Sequence, residues 1–144
     1  MSRLINFENN SIIEITVKTI NQAHNKTRHT ISVGLDSPDL QIQSKESLEL
    51  NDYDVKNIVA FLKESICEEF FCAGNSISYA DSNAMFEITV TSSPYDEMFS
   101  IDFWLNIATV SMGRKYGYDY GIRFATQKKD YLEFAKRLIT ECSS

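Results

Sequence analysis

Apolar and polar residues alternate with a period of two along most of this chain, the mark of strands that bury one face. Ile13, Ile15 and Val17 alternate with Glu14, Thr16 and Lys18. Ile31, Val33 and Leu35 alternate with Ser32 and Gly34, after a polar run from Asn21 to Thr30 that reads as a hairpin connection. Asp36-Ser37-Pro38-Asp39 is a turn, with Pro38 the residue suited to it. Leu40-Gln41-Ile42-Gln43 starts a third strand, which Leu48 and Leu50 continue. The period then changes. Val55, Ile58, Val59, Leu62 and Ile66 form one stripe of an amphipathic helix from about Asp52 to about Glu68, with Asn51 or Asp52 as its cap.

Strands return after that helix. Ile77 and Tyr79 belong to a short one, and Phe86, Ile88 and Val90 to a longer one. Ser92 to Asp96 is a turn. Phe99, Ile101, Phe103, Leu105 and Ile107 alternate with Ser100, Asp102, Trp104, Asn106 and Ala108 in the cleanest strand of the chain. Gly113-Arg114-Lys115 reads as a turn, and Tyr116, Tyr118, Tyr120, Ile122 and Phe124 as a last strand. A closing helix follows, with Thr126 as its cap and Tyr131, Phe134, Ala135, Leu138 and Ile139 as its stripe. The order of strands, helix, strands, helix predicts one α+β domain over 1–144: a mainly antiparallel sheet of six to eight strands with two amphipathic helices on one face. No internal repeat is visible in the residues.

Composition adds constraints. With 144 residues and 43% hydrophobic side chains, the chain can bury a core without metal or disulfide. Its three cysteines, Cys67, Cys72 and Cys142, follow no disulfide pattern and read as buried or neutral thiols. No stretch reaches the roughly 20 apolar residues of a membrane helix, and the first residues lack a signal peptide's apolar core. A cytoplasmic location is therefore expected, with no membrane partner. The net charge is −6, which argues against a nucleic-acid partner whose phosphates must be neutralised. The charge is uneven: residues 1–113 carry −9 and residues 114–144 carry +3. Glu46, Glu49, Asp52 and Asp54 form an acidic rim where the first helix begins. Such a rim attracts a basic protein.

With Phe86, Phe99, Ile101 and Phe103 facing the helices, the opposite face meets solvent and carries Met85, Glu87, Asp102, Trp104, Asn106, Asp119 and Arg123. Trp104, the only tryptophan, among polar neighbours is a candidate interface anchor. The predicted partner-binding residues are thus Asp102, Trp104, Asn106 and Asp119 on the sheet and Glu46, Glu49, Asp52 and Asp54 on the rim. Candidate chemistry is sparse. His24 and His29 are the only histidines and could form an acid–base pair, but in a loop they are poorly held. The row Tyr116, Tyr118 and Tyr120 could line a pocket for a sugar or small ring. No metal, cofactor or enzymatic activity is expected.

The strand Phe99-Ser100-Ile101-Asp102-Phe103-Trp104-Leu105, the closing helix from Tyr131 to Ile139 and the acidic balance resemble a class of small bacterial immunity proteins. These are the partners of polymorphic or contact-dependent growth-inhibition toxins. The resemblance implies a cytosolic inhibitor that binds a cognate toxin domain, basic and nuclease-like, and occludes its active site. The alternatives are a small-ligand module on the tyrosine row and a metal-independent ribonuclease-like enzyme.

Overall fold

The computed structural model describes residues 2–22, 26–43, 48–82, 85–106 and 119–143. The strands are β1 (Ser2–Ile5), β2 (Ile12–Gln22), β3 (Lys26–Ser37), β4 (Leu40–Gln43), β5 (Leu48–Leu50), β6 (Ser76–Ala80), β7 (Phe86–Ser93), β8 (Met98–Asn106) and β9 (Asp119–Gln127). The helices are α1 (Asp52–Ser65), α2 (Glu68–Ala73) and α3 (Lys128–Ser143). The chain is α+β with antiparallel pairing throughout, as the periodicity indicates. The pairing nevertheless divides the strands into two sheets rather than one. The first runs β1-β2-β3-β4, with β5 also on β3, and the second runs β6-β7-β8-β9.

The alternating residues do what their period requires. Leu4, Ile13, Ile15, Val17, Ile31, Val33 and Leu35 from the first sheet are buried, as are Phe86, Ile88, Val90, Phe99, Ile101, Phe103 and Leu105 from the second. Both inner faces feed one core with α1 and α3. The helices are exchanged between the sheets: α3 closes the second half of the chain but packs on β1 and β2, while α1 closes the first half and packs on β6. The two helices also touch each other, through Ser65 and Tyr131, whose hydroxyls lie 2.6 Å apart. A topological repeat of meander and helix is therefore present where the residues show none.

Several elements depart from the pattern-based reading. The polar run from Asn21 to Thr30 is not a long loop. The β2–β3 ladder continues to Gln22 opposite Lys26, well past the end of β1 at Ser2 opposite Ile15. A ribbon that leaves the sheet has less core to face, so its strands need not alternate. Thr126 is not a cap: it lies inside β9, buried, and its hydroxyl donates to Ile5 O at 2.8 Å. The Phe7 amide donates to Ala125 O at 2.7 Å, so the turn after β1 also reaches β9. The first helix stops at Ser65, and Cys67 caps a separate six-residue α2 that ends at Gly74 with φ of 67°.

The thiols are not all buried. Cys67 and Cys72 are exposed and Cys142 is buried. Burial, with Glu141 adding to it, pushes the Cys142 thiol up to about 12. Burial also raises the phenols of Tyr131 and Tyr79, the latter helped by Asp54, Asp81 and Cys142. In the unfolded chain these groups ionise near about 8.5 and about 10. The unfolded state then sheds protons that the folded state keeps. Stability is complete below about pH 8.5 and falls as the pH rises above it. Urea melts across the alkaline range should show a steadily dropping midpoint; a flat midpoint contradicts the burial of these groups. In the native protein a thiol reagent should label two cysteines, and all three only after unfolding.

Candidate functional site

The outer face of the second sheet is built in rows that cross all four strands. Ala80, Glu87, Trp104 and Gly121 form one row, and Ser78, Thr89, Asp102 and Arg123 the next. Ser76, Thr91, Ser100 and Ala125 form the third. Trp104 is 49% exposed. Its cross-strand neighbour on β9 is a glycine, and the indole occupies the space that a side chain there would need. A Cβ on Gly121 would fall 2.5 Å from Trp104 Cδ2 and 2.6 Å from Cζ3. The indole thus rests on the bare backbone of β9, and half of its surface meets solvent.

Polar groups surround this ring. Arg123 meets Asp102 as a two-pronged pair, Nε to Oδ1 at 2.5 Å and Nη2 to Oδ2 at 3.1 Å. Hydrogen bonding to Asp102, reinforced by its charge, makes that guanidinium hold its proton more firmly still. Asn106 Nδ2 donates to Asp119 Oδ1 at 3.1 Å. Toward β6 the face becomes a mat of small hydroxyls, with Ser78–Thr89 at 2.7 Å and Ser76–Thr91 at 2.9 Å. The surface therefore presents one flat apolar ring, the carboxylate of Glu87, those of Asp102 and Asp119 already engaged by Arg123 and Asn106, and hydroxyls.

The expected sheet-face residues Asp102, Trp104, Asn106 and Asp119 do come together here. Met85, placed on the same face by its position, is fully buried. The acidic rim does not hold as a unit. Asp54 is 2% exposed and turns inward, accepting from the Ser82 amide at 3.1 Å and the Ser82 hydroxyl at 2.5 Å. Glu49 lies 3.8 Å from Arg28 and Asp52 lies 3.6 Å from His29. Glu46 lies outside the described residues.

The other candidates separate. His29 is not in a loop but in β3, buried, with Nδ1 3.0 Å from the Thr19 hydroxyl; His24 lies outside the described residues. Tyr116 and Tyr118 also lie outside them, and Tyr120 packs against the core. Among the described residues no group of three His, Cys, Asp or Glu side chains could hold a metal ion, and no helix is long and apolar enough to cross a membrane. A second feature lies on the first sheet, where Arg3, Glu14, Gly34 and Gln43 align in one row. Gly34 opens a groove of about 640 Å³ there, but it holds no aromatic ring, and its one cation, Arg3, is already paired with Glu14 at 3.1 Å.

No family model matches this chain, and no curated protein matches it. Two solved structures have a similar arrangement. The plant transcriptional regulator PBF-2 aligns over 92% of this chain and 75% of its own, at 6% identity and a TM-score of 0.49. WHY3 from Arabidopsis thaliana aligns over 92% of this chain and 81% of its own, at 6% identity and a TM-score of 0.46. Neither is described as an immunity protein. The expectation of a toxin-neutralising immunity protein, with a toxin and no nucleic acid as partner, is corrected on that comparison. Of the two surfaces expected for it, the sheet face comes together, while the rim loses Asp54 to the interior. At these scores the likeness is one of arrangement alone, so a functional reading has to come from the chain's own surface.

Proposed function

We propose that this chain is a non-enzymatic binding domain that stacks a base of a single-stranded nucleic acid on Trp104. The observation that carries the reading is the half-exposed indole seated on Gly121. A ring held against backbone is presented with little loss of side-chain freedom on binding. Stacking suits any base, because every base has a flat face, and contributes about 1–3 kcal/mol. The acceptors around the ring suit the amino groups on base edges, as carboxylates do for cytosine. Double-stranded DNA is a poor candidate, because its bases are already stacked.

The acidic balance shapes how such binding behaves. Arg123 is the only cation among the described outer-face residues of this sheet, and Asp102 occupies it. Few phosphates are neutralised, so salt should weaken binding only gently. For single strands the logarithmic slope is about −0.7 per phosphate contact; one or two contacts give a slope between about −0.7 and about −1.4. The sole tryptophan is a built-in reporter. Single-stranded oligonucleotides should quench its emission saturably and with that shallow slope, while neutral oligosaccharides should not. Absence of quenching by every single-stranded oligonucleotide, or an equal response to oligosaccharides, overturns the reading.

A further inference from the structure

We infer that two copies of this chain associate edge to edge through β6, joining their second sheets into one eight-stranded sheet. Among the described residues, β6 pairs only with β7, so its other side is a free edge. The Ser92 amide donates to Asn75 O at 3.0 Å. In an antiparallel ladder, bonded and non-bonded pairs alternate. Ile77 and Tyr79 are therefore bonded to β7, and the amides and carbonyls of Ser76, Ser78 and Ala80 point away from it.

Sheet edges are normally guarded by charge, proline, bulges, shortness or a cover. The other edges show such devices. β1 and β4 have four residues each. The overhang of β2 is met by α3, where Glu141 accepts from the Val17 amide at 3.2 Å. β9 carries Asp119 and Arg123 and receives the Phe7 amide. β6, Ser-Ile-Ser-Tyr-Ala, is longer by one residue and carries no charge and no proline; α1 meets it through Tyr79 and Phe61 on the inner face, and among the described residues no strand pairs with its outer edge.

The strip is also complementary to itself. A two-fold axis at Ser78 sets it opposite the partner's Ser78 and sets Ser76 opposite the partner's Ala80. Small uncharged side chains then face one another, and about six backbone hydrogen bonds form. A charged stranger has nothing to pair with here, whereas a second copy satisfies every outward group. The first turn of α1 adds apolar surface nearby. It is tied to the end of β6 by Tyr79 to Asp54 O and by Ser82 to Asp54, and it carries Tyr53, which is 70% exposed.

The test is analytical ultracentrifugation of the full chain over a concentration series. The protein should approach twice its 16.5 kDa mass at high concentration and dissociate on dilution. Ser78→Pro removes an outward amide and no bond to β7, so it should stay monomeric with unchanged circular dichroism. Ser78→Lys keeps the backbone and sets two like charges face to face, which should weaken the dimer several-fold. A wild-type monomer at all concentrations overturns the inference, as does a dimer that is unaffected by Ser78→Lys. The lysine variant decides the matter if the proline variant does not fold. Association is read without ligand, so it stands or falls apart from base stacking at Trp104.

Discussion

Tyr131→Ala should destabilise the protein by about 3–5 kcal/mol, as loss of a large buried aromatic side chain generally does. Tyr131 is fully buried. Its ring packs 4.6 Å from Phe99 on β8 and 6.1 Å from Phe134 on its own helix, centroid to centroid. Its hydroxyl meets Ser65 on α1 at 2.6 Å. One side chain therefore holds α3, α1 and the second sheet together, and alanine leaves a cavity where all three meet. Domains have only about 5–15 kcal/mol in total, so the variant should be at the edge of unfolding in a urea melt. Tyr131→Phe keeps the ring and loses only the hydroxyl bond, at about 1 kcal/mol. Ser65 retains its own bond to Leu62 O at 2.8 Å. Equal costs for the two substitutions would mean that the hydroxyl, not the ring, is the tie.

Trp104→Ala should weaken single-stranded oligonucleotide binding by about 1–3 kcal/mol, roughly 5- to 150-fold. Its effect on folding should stay within about 0.5 kcal/mol, as for other exposed positions. Gly121→Val provides an independent route to the same loss. It leaves the tryptophan in the sequence but puts a branched side chain where the indole rests. Valine suits a strand, so the fold should tolerate it while the ring is lifted away. Its emission should shift and its quenching by oligonucleotides should fall. Binding that is unchanged in both variants would remove Trp104 from the site.

The elements that were legible in the residues are the ones whose burial is set locally. β7 and β8 alternate because one face of each is in the core, and the stripe of α1 follows from its own period. β1 was missed because four residues hold too few alternations to count. α2 was missed because Phe70 and Phe71 are adjacent and a six-residue helix shows no period. The division into two sheets depends on which strands pair, a non-local choice. Trp104 was legible as an exposed ring in a polar neighbourhood. The seat beneath it was not, because Gly121 meets it only through the β8–β9 register. Asp54 misled for the same reason. Its place in a helix's first turn suggests exposure, yet its carboxylate is claimed by Ser82, 28 residues away.

The exchange of helices between the sheets has a consequence for biosynthesis. As the chain leaves the ribosome, the first meander emerges complete, but part of the cover for β1 and β2 lies in α3, which is made only after the whole second sheet. Val17, whose amide is held by Glu141, waits for a residue 124 positions later. Contacts of such long range are slow to form, and uncovered strands are prone to aggregate in the meantime. The first half is therefore expected to complete its core only once α3 has been made.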